Sequence, residues 1–428
     1  MPKAKHGTNR YPEMRQVKMT EPRSFPFWAE GWRTLGSDIS RWLWLLESGS
    51  LCTEARRRAR LEDFGDPPIE LALTVLANSL ETEADLHPLG RFFMRVHLQE
   101  LLETRLRLTQ AWSGPAQLPE NSVIERPIFI TGVPRSGSTF LHELLAEDPQ
   151  NRAPRVWEVM FPLPPESECR REVDARIRKT NASLWWFRRL APGADSVYPI
   201  RAWTPHECVA IHSYTFLSEE FVSTCHIPTY EAFLHAADLA PIYSWQKRFL
   251  QYLQLGCSNK RWILKSPDHI CGLDKLLQVF PDAAIIQTHR NPFEVVKSQI
   301  QLTEVLQIMF ARPRERKCLA NMEAKKIEQM VEHITRFRDA NPNVAGKFID
   351  VTYRELVSDP LAVVRRIYER LNIQQTGVAF ERMERLASAR SRYKKVRRGG
   401  RALEELEINW AAETPRFEEY CSRFRISV

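Results

Sequence analysis

Residues 127 to 139 contain the residue types that bind phosphate or sulfate in proteins. The sequence PIFIT (127–131) predicts a short buried strand, GVPRSGST (132–139) predicts a tight turn, and the apolar positions that follow predict a helix. Backbone N–H groups at the start of a helix have no intrahelical acceptor and lie at the positive end of the helix dipole. The segment therefore predicts a strand, an anion-binding loop and a helix start.

The loop differs from the phosphate loop of ordinary ATP- and GTP-binding proteins. Gly132 and Gly137 match the spacing of G-x-x-x-x-G-K-[ST], but Ser138 stands where the phosphate-binding lysine belongs. A cation, Arg135, lies inside the loop instead. For this loop alone, a simple tight turn after a buried strand is the competing interpretation.

A second segment has the composition of a phosphate site. The sequence DAAIIQTH (282–289) predicts a strand that ends next to Arg290, and the helix predicted after it carries Ser298. A guanidinium presents a planar fork to phosphate oxygens, and a hydroxyl one or two helical turns away can donate to the same group. An arginine at a sheet edge with a solvated serine is the alternative for this segment alone.

Taken together, these segments resemble the sulfotransferases that use 3′-phosphoadenosine 5′-phosphosulfate (PAPS). WILKSPDH (262–269) is similar to the family's strand that ends in Lys-x-Pro, and VTYREL (351–356) to its tyrosine-containing turn near adenine. The four matches follow the family's order from about residue 125 to 360. The arginine in the loop, SPDH (266–269) and RVWE (155–158) resemble the bacterial and tyrosylprotein branches more than the cytosolic branch.

The resemblance implies which residues bind the donor. The loop would hold the 5′-phosphosulfate, and Arg290 with Ser298 the 3′-phosphate. The full implied set is Arg135, Ser136, Gly137, Ser138, Thr139, Arg290, Ser298 and Tyr353. Cytosolic relatives add a C-terminal Arg-Lys-Gly loop, which has no clean match between residues 392 and 400, so the C-terminal cations that reach the 3′-phosphate stay open.

Sulfuryl transfer requires an acceptor oxygen in line with the leaving oxygen, a base for the acceptor proton, and cations for the leaving charge. Arg135 and Lys265 are the predicted cations. Because side-chain cations and loop N–H groups can stabilise this charge together, we expect no metal ion, and the sequence shows no aspartate cluster suited to Mg²⁺.

The base has several candidates. Glu158 comes first, since the tyrosylprotein branch places a catalytic glutamate at about this distance after the loop. His269 follows Lys265, and His206 and Glu207 form another polar pair. The competing interpretations are a core or hydrogen-bonding role for each histidine and a surface ion pair for Glu158.

The whole chain predicts an α/β fold, with a P-loop-like, mostly parallel sheet flanked by helices and an N-terminal helical extension. Strands are predicted near 127–132, 261–264, 283–288 and 347–351. Arg135, Lys265 and Arg290 all fall at carboxyl ends of strands, where such sheets bind ligands.

The 428 residues divide into three predicted regions. Residues 1–25 are predicted to be flexible, 26–122 to be a helical accessory region that serves as packing partner, dimer contact or substrate lid, and 123–428 to be the sulfotransferase domain. An aromatic-rich interval at about 155–255 is the predicted acceptor-binding insertion. The acceptor itself stays open: a small-molecule, lipid, glycan or peptide hydroxyl.

Composition narrows the class of protein. The net charge of +8 suits an anionic cofactor without requiring nucleic acid, and eight cysteines without Cys-x-x-Cys spacing indicate neither a zinc site nor a disulfide framework. The sequence shows no secretory signal and no transmembrane segment of ~20 apolar residues, so we expect a cytoplasmic enzyme, with a homo-oligomer left open. A P-loop small-molecule kinase and a non-catalytic binder of nucleic acid or anionic membrane are the alternative functions.

Overall fold

The strands that the structure describes form one parallel sheet. The computed structural model describes residues 37–113, 123–163, 170–255, 260–397 and 417–427, so the predicted flexible segment 1–25 lies outside the described residues. The strands in the described ranges are β1 (Ile128–Gly132), β2 (Asn151–Arg152), β3 (Arg261–Lys265), β4 (Ala284–His289) and β5 (Phe348–Thr352). Their order is β2-β3-β1-β4-β5, and all neighbouring pairs are parallel.

The central strand β1 is buried along its whole length, which explains its continuous apolar sequence. Ile128 lies opposite Ile263 of β3 and Ala284 of β4. Because side chains alternate along a strand, Ile128 and Ile130 belong to one hydrophobic cluster and Phe129 to another. The sheet therefore has a separate core on each face, as the α/β prediction requires.

Helices surround this sheet. They span Ser37–Leu43, Ser48–Ala59, Glu70–Thr82, Pro88–Ser113, Ser138–Ala146, Val156–Met160, Arg170–Leu190, Ala194–Val197, Val209–His212, Glu219–Thr224, Pro228–Ala236, Ala240–Leu253, Leu273–Val279, Pro292–Gln307, Arg316–Ala340, Tyr353–Ser358, Pro360–Arg370, Gly377–Arg397 and Glu418–Arg423. Short 3-10 helices lie at Ser213–Thr215, Pro267–Gly272 and Pro342–Lys347. The predicted fold class, including the N-terminal helical extension, is confirmed.

A buried arginine attaches the N-terminal helices to the aromatic-rich interval. Arg105, on helix Pro88–Ser113, donates to the carbonyl oxygens of Phe64 at 2.8 Å and Tyr214 at 2.7 Å. Its guanidinium also lies 4.1 Å from the ring centroid of Trp245. Burial lowers the pKa of Arg105 to about 9. The extension therefore packs on residues of the predicted acceptor-binding insertion.

Candidate active site

The loop after β1 is held in a fixed shape by its own side chains and by β4. Ser136 is buried, and its hydroxyl donates to the carbonyl oxygen of Val133 at 2.5 Å and lies 2.6 Å from the hydroxyl of Thr288. Arg135 and Gly137 have positive φ angles of 62° and 94°. Left-handed residues next to a helix N-terminus build concavities of backbone N–H groups that bind anions.

The two glycines of the loop allow close approach to neighbouring elements. A Cβ atom on Gly132, whose φ is +129°, would lie 2.2 Å from the carbonyl oxygen of Thr288. A Cβ atom on Gly137 would lie 3.0 Å from Leu356 and 3.1 Å from the Tyr353 ring. The loop therefore packs directly on β4 and on the helix that begins at Tyr353.

The structure places Arg135, Arg290 and Ser298 close together, with Ser298 hydrogen-bonded to Arg135 and Arg290 hydrogen-bonded to the backbone of Arg135. The Arg135 guanidinium donates through Nε to the Ser298 hydroxyl at 3.0 Å and through Nη1 to the Val197 carbonyl at 3.2 Å. Arg290 donates to the backbone carbonyl of Arg135 at 2.9 Å, and its guanidinium lies 4.3 Å from the Tyr353 ring centroid. Burial, and secondarily the charge of Arg290, lower the pKa of Arg135. Two neighbouring guanidiniums with reduced solvation favour a bound anion.

Lys265 and Glu207 form a charged pair at the carboxyl end of β3. Lys265 is buried, and its ammonium is ion-paired with the Glu207 carboxylate. The backbone N–H of Cys208 donates to the Lys265 carbonyl at 2.8 Å, which fixes the segment that carries Glu207 against β3. His206 and Glu207 both line the cavity that Arg135 and Lys265 also line, and burial lowers the pKa of His206.

The structure gives Glu158 a local structural role. One carboxylate oxygen accepts from Arg152 at 2.9 Å, and the other accepts the backbone N–H of Arg155 at 2.9 Å, which caps helix Val156–Met160. Glu158 is not among the described residues that line the cavity. A carboxylate with both oxygens engaged outside the cavity is poorly placed to receive an acceptor proton, so the geometry disfavours Glu158 as the base.

His269 lies in the hydrophobic core. Its Nδ1 atom is 3.2 Å from the Tyr243 hydroxyl, and its ring packs 5.1 Å from the Phe129 ring and 5.7 Å from the His212 ring. Burial lowers the pKa of His269 well below its ordinary value. His269 is likewise not among the described cavity-lining residues, because the 3-10 helix Pro267–Gly272 turns its side chain into the core. Among the four base candidates, His206 and Glu207 line the cavity.

The cavity has a volume of about 1110 Å³, with a charged end beside the loop and a mostly apolar remainder that also includes Glu100, Glu103 and Lys179. Its charged end contains Arg135, Lys265, Glu207, Arg290 and Tyr353. Much of its remaining wall is apolar and comes from helices Pro88–Ser113, Arg170–Leu190 and Pro292–Gln307 and from the residues just after Gln307. The apolar lining residues are Phe93, Val96, Leu101, Trp186, Phe187, Leu302, Leu306, Met309 and Phe310. Such a shape suits an acceptor with a long apolar body and one reactive polar end.

The sequence left a substrate lid as one possible role of the N-terminal helices, but it did not identify which of their residues line this cavity. Phe93 and Leu101 on helix Pro88–Ser113 have the residue types and spacing of ordinary core positions, so no signal in the sequence marks them.

The described residues contain no group of three or more histidine, cysteine, aspartate or glutamate side chains arranged to hold a metal ion. None of the described helices combines the length and apolar character needed to cross a bilayer.

Comparisons with known proteins agree with this geometry. A family model described as "Sulfotransferase family" matches residues 127–377. The chain is 24% identical over 301 residues to omega-hydroxy-beta-dihydromenaquinone-9 sulfotransferase Stf3 of Mycobacterium bovis, covering 65% of this chain and 71% of the relative.

Two solved structures share the fold. Sulfotransferase STF1 from Mycobacterium tuberculosis is 27% identical, with a TM-score of 0.73, and the match covers 87% of this chain and 98% of that structure. Sulfotransferase STF9 from Mycobacterium avium is 25% identical, with a TM-score of 0.76, and the match covers 90% and 98%.

Proposed function

Because this chain belongs to the sulfotransferase family and is a PAPS-dependent sulfotransferase, we propose that the hydroxyl it sulfates belongs to a lipid-like acceptor. The proposal rests on the cavity, in which three cations and a carboxylate lie at one end and most of the remaining wall is apolar. The relative Stf3 is named for a menaquinone acceptor, which agrees with an apolar substrate. Because the chain belongs to this family, we set aside the two alternative functions considered from the sequence, a small-molecule kinase and a non-catalytic binder.

The charged end of the cavity fits an adenosine bisphosphate. The N–H groups at the head of helix Ser138–Ala146 and the guanidinium of Arg135 suit the 5′-phosphosulfate. Arg290 and Ser298 suit the 3′-phosphate, and Tyr353, which lines the cavity beside Arg290, suits the adenine. When bound, PAPS supplies the sulfuryl group and an anionic leaving group.

Three side chains would carry the chemistry without a metal ion. Glu207 takes the proton of the acceptor hydroxyl, and the ion pair with Lys265 holds the Glu207 carboxylate at the end of β3. Lys265 and Arg135 stabilise the negative charge that develops on the leaving oxygen. His206, which lines the same cavity beside Glu207, is the second candidate for the base.

Ligand-dependent stability tests the donor site. Adenosine 3′,5′-bisphosphate should raise the Tm more than ATP or AMP does, because only it occupies both phosphate positions. Arg290→Ala should lose most of that shift, and Arg370→Ala, which changes an exposed arginine on helix Pro360–Arg370, should keep it. Equal shifts from all three nucleotides would contradict the two-phosphate site.

Product analysis tests the acceptor class. With PAPS as donor, mass spectrometry should detect sulfated products from long-chain or isoprenoid alcohols in detergent, and much less from short polar alcohols, glycans or tyrosine peptides. The proposal of a lipid-like acceptor fails if the polar acceptors are sulfated more efficiently than the lipid alcohols.

A further inference from the structure

Aromatic side chains form a continuous strip on the surface of the protein. The aromatic strip consists of Trp44, Phe92, Phe93, Trp186 and Trp185, with successive ring centroids 5.4, 5.3, 6.3 and 4.9 Å apart. Trp185 is 48% exposed and Trp186 is 41% exposed. A monomeric soluble protein rarely exposes so many large apolar side chains in one place unless the surface binds something.

The apolar surface continues beyond the Trp44 end of the aromatic strip. Next to Trp44, Trp42 is 84% exposed, and Leu43 and Leu45 are about half exposed. Arg95, which follows the two phenylalanines on helix Pro88–Ser113, donates to the Leu45 carbonyl and so joins this segment to that helix.

The strip borders the opening of the acceptor cavity. Phe93, Val96 and Trp186 line the cavity, and Val96 and Trp186 are also exposed to solvent. Residues that are both exposed and cavity-lining mark the place where the cavity meets the surface. Leu89 and Leu190 pack together there, with Phe93 against them, so two helices form one edge of the opening.

The surface beside the strip is cationic. Helix Arg170–Leu190 exposes Arg178, Ala182, Trp185 and Arg189, whose spacing places them on one face. The Arg189 guanidinium lies 5.0 Å from the Trp185 ring centroid. Residues 175 to 190 contain five cations and no acidic residue. Aromatic rings with neighbouring cations are the combination that helices at bilayer surfaces present to anionic lipids.

We propose that the aromatic strip and the cationic face of helix Arg170–Leu190 bind the surface of an anionic lipid bilayer, so that the cavity opens toward the lipids. The inference rests on the proposed function, because it supplies the route by which a lipid-like alcohol enters the cavity. Charge complementarity selects this occupant over a second copy of the chain. A two-fold dimer through the same face would bring two copies of this cationic face, each with Arg178 and Arg189, against each other.

Vesicle co-sedimentation of the full chain tests the proposal. The protein should pellet with vesicles of phosphatidylcholine and phosphatidylglycerol, pellet poorly with phosphatidylcholine alone, and be released by high salt. Two double variants, Trp42→Ser/Trp185→Ser and Arg178→Glu/Arg189→Glu, should each weaken binding about tenfold or more. None of these four side chains lines the cavity among the described residues, so the stabilisation by adenosine 3′,5′-bisphosphate should be unchanged.

Matched substitutions elsewhere serve as controls. Val357→Ser/Val378→Ser removes two exposed apolar side chains, and Arg370→Glu/Arg385→Glu reverses two exposed charges. Both controls should bind vesicles like the parent protein. The proposal is overturned if the parent protein does not pellet with anionic vesicles, if the controls lose as much binding as the strip variants, or if sedimentation shows a dimer that Trp42→Ser/Trp185→Ser dissociates.

These outcomes are independent of the donor site. If the protein binds adenosine 3′,5′-bisphosphate and sulfates lipid alcohols in detergent but does not pellet with anionic vesicles, only the proposal of bilayer binding is contradicted. Failure of the proposed function would instead show in the nucleotide shifts and in the products.

Discussion

Lys265 and Glu207 place two charges in a site with little solvent. Lys265 is buried, so its ammonium relies on the Glu207 carboxylate to compensate the cost of desolvation. Such a pair is a weak contributor to net stability, but it holds both groups in one geometry. This restraint places a carboxylate and an ammonium side by side at the charged end of the cavity.

Substitution of Glu207 should separate catalysis from donor binding. We expect Glu207→Gln to lower kcat by roughly 10²–10⁴-fold, because the amide cannot accept the acceptor proton, and to leave the thermal shift by adenosine 3′,5′-bisphosphate largely intact. Steady-state kinetics at saturating PAPS, combined with thermal melts, measure the two effects.

Glu158→Gln is the control for this prediction. This substitution removes the negative charge that pairs with Arg152 and that accepts the backbone N–H of Arg155 at the start of the helix. It should therefore lower the Tm while kcat stays within a few-fold of the parent value. The assignment of Glu207 is refuted if Glu158→Gln loses turnover and Glu207→Gln retains it. If both keep their turnover while His206→Gln loses it, the base is His206.

At the scale of elements, the junction between β1 and its loop depends on Gly132. A residue with a side chain is disfavoured here for two reasons. The φ angle is +129°, which L-residues rarely adopt, and a Cβ atom would lie 2.2 Å from the Thr288 carbonyl oxygen. We expect Gly132→Ala to lower the free energy of unfolding by ~3 kcal/mol or more, because β1 and β4 must move apart. Urea denaturation measures this loss.

Gly346→Ala is the matched substitution, since a Cβ atom there meets nothing within 4 Å. It should change the free energy of unfolding by less than ~1 kcal/mol. Equal costs for the two alanine variants would show that the loop shifts freely and is not locked onto β4.

The sequence predicted the elements better than it predicted which way side chains face. Apolar runs identified β1, β3, β4 and β5, but β2 has two residues and offers no pattern. Glu158 and His269 lie close in sequence to the matched motifs, but a capped short helix and a 3-10 helix turn their side chains away from the cavity. The identity of a residue does not by itself determine the direction in which its side chain points.

At the scale of the whole molecule, one acidic residue, Asp268, lines two cavities. Asp268 lines the acceptor cavity and also a second cavity of about 610 Å³. The Ser266 hydroxyl donates to its carboxylate at 3.0 Å, and Lys326, ion-paired with Glu219 at 2.6 Å, lines both cavities as well. Burial, and secondarily the charge of Glu219, raise the pKa of Asp268 to about 7.

This raised pKa makes stability depend on pH. Between the unfolded pKa of ~3.9 and the folded value of about 7, the folded protein binds more protons at Asp268 than the unfolded chain does. Stability from this residue is therefore greatest at low pH and falls by up to ~4 kcal/mol as the pH rises through that window. Asp268→Asn should flatten this slope, as measured by urea denaturation across the window.

Asp274→Asn, on an exposed position of helix Leu273–Val279, should keep the slope of the parent protein. A slope that survives Asp268→Asn would assign the pH dependence to other groups.

The strand order also determines when the sheet can form during synthesis. β1 lies in the middle, but both strands that pair with it come after residue 260, more than 120 residues later in the chain. At ribosomal rates of ~5–20 residues per second, both edges of this apolar strand stay without partners for roughly 6–25 seconds. The anion-binding loop at the end of β1 acquires its shape only after Thr288 has been added, so a nascent chain shorter than this has no donor site.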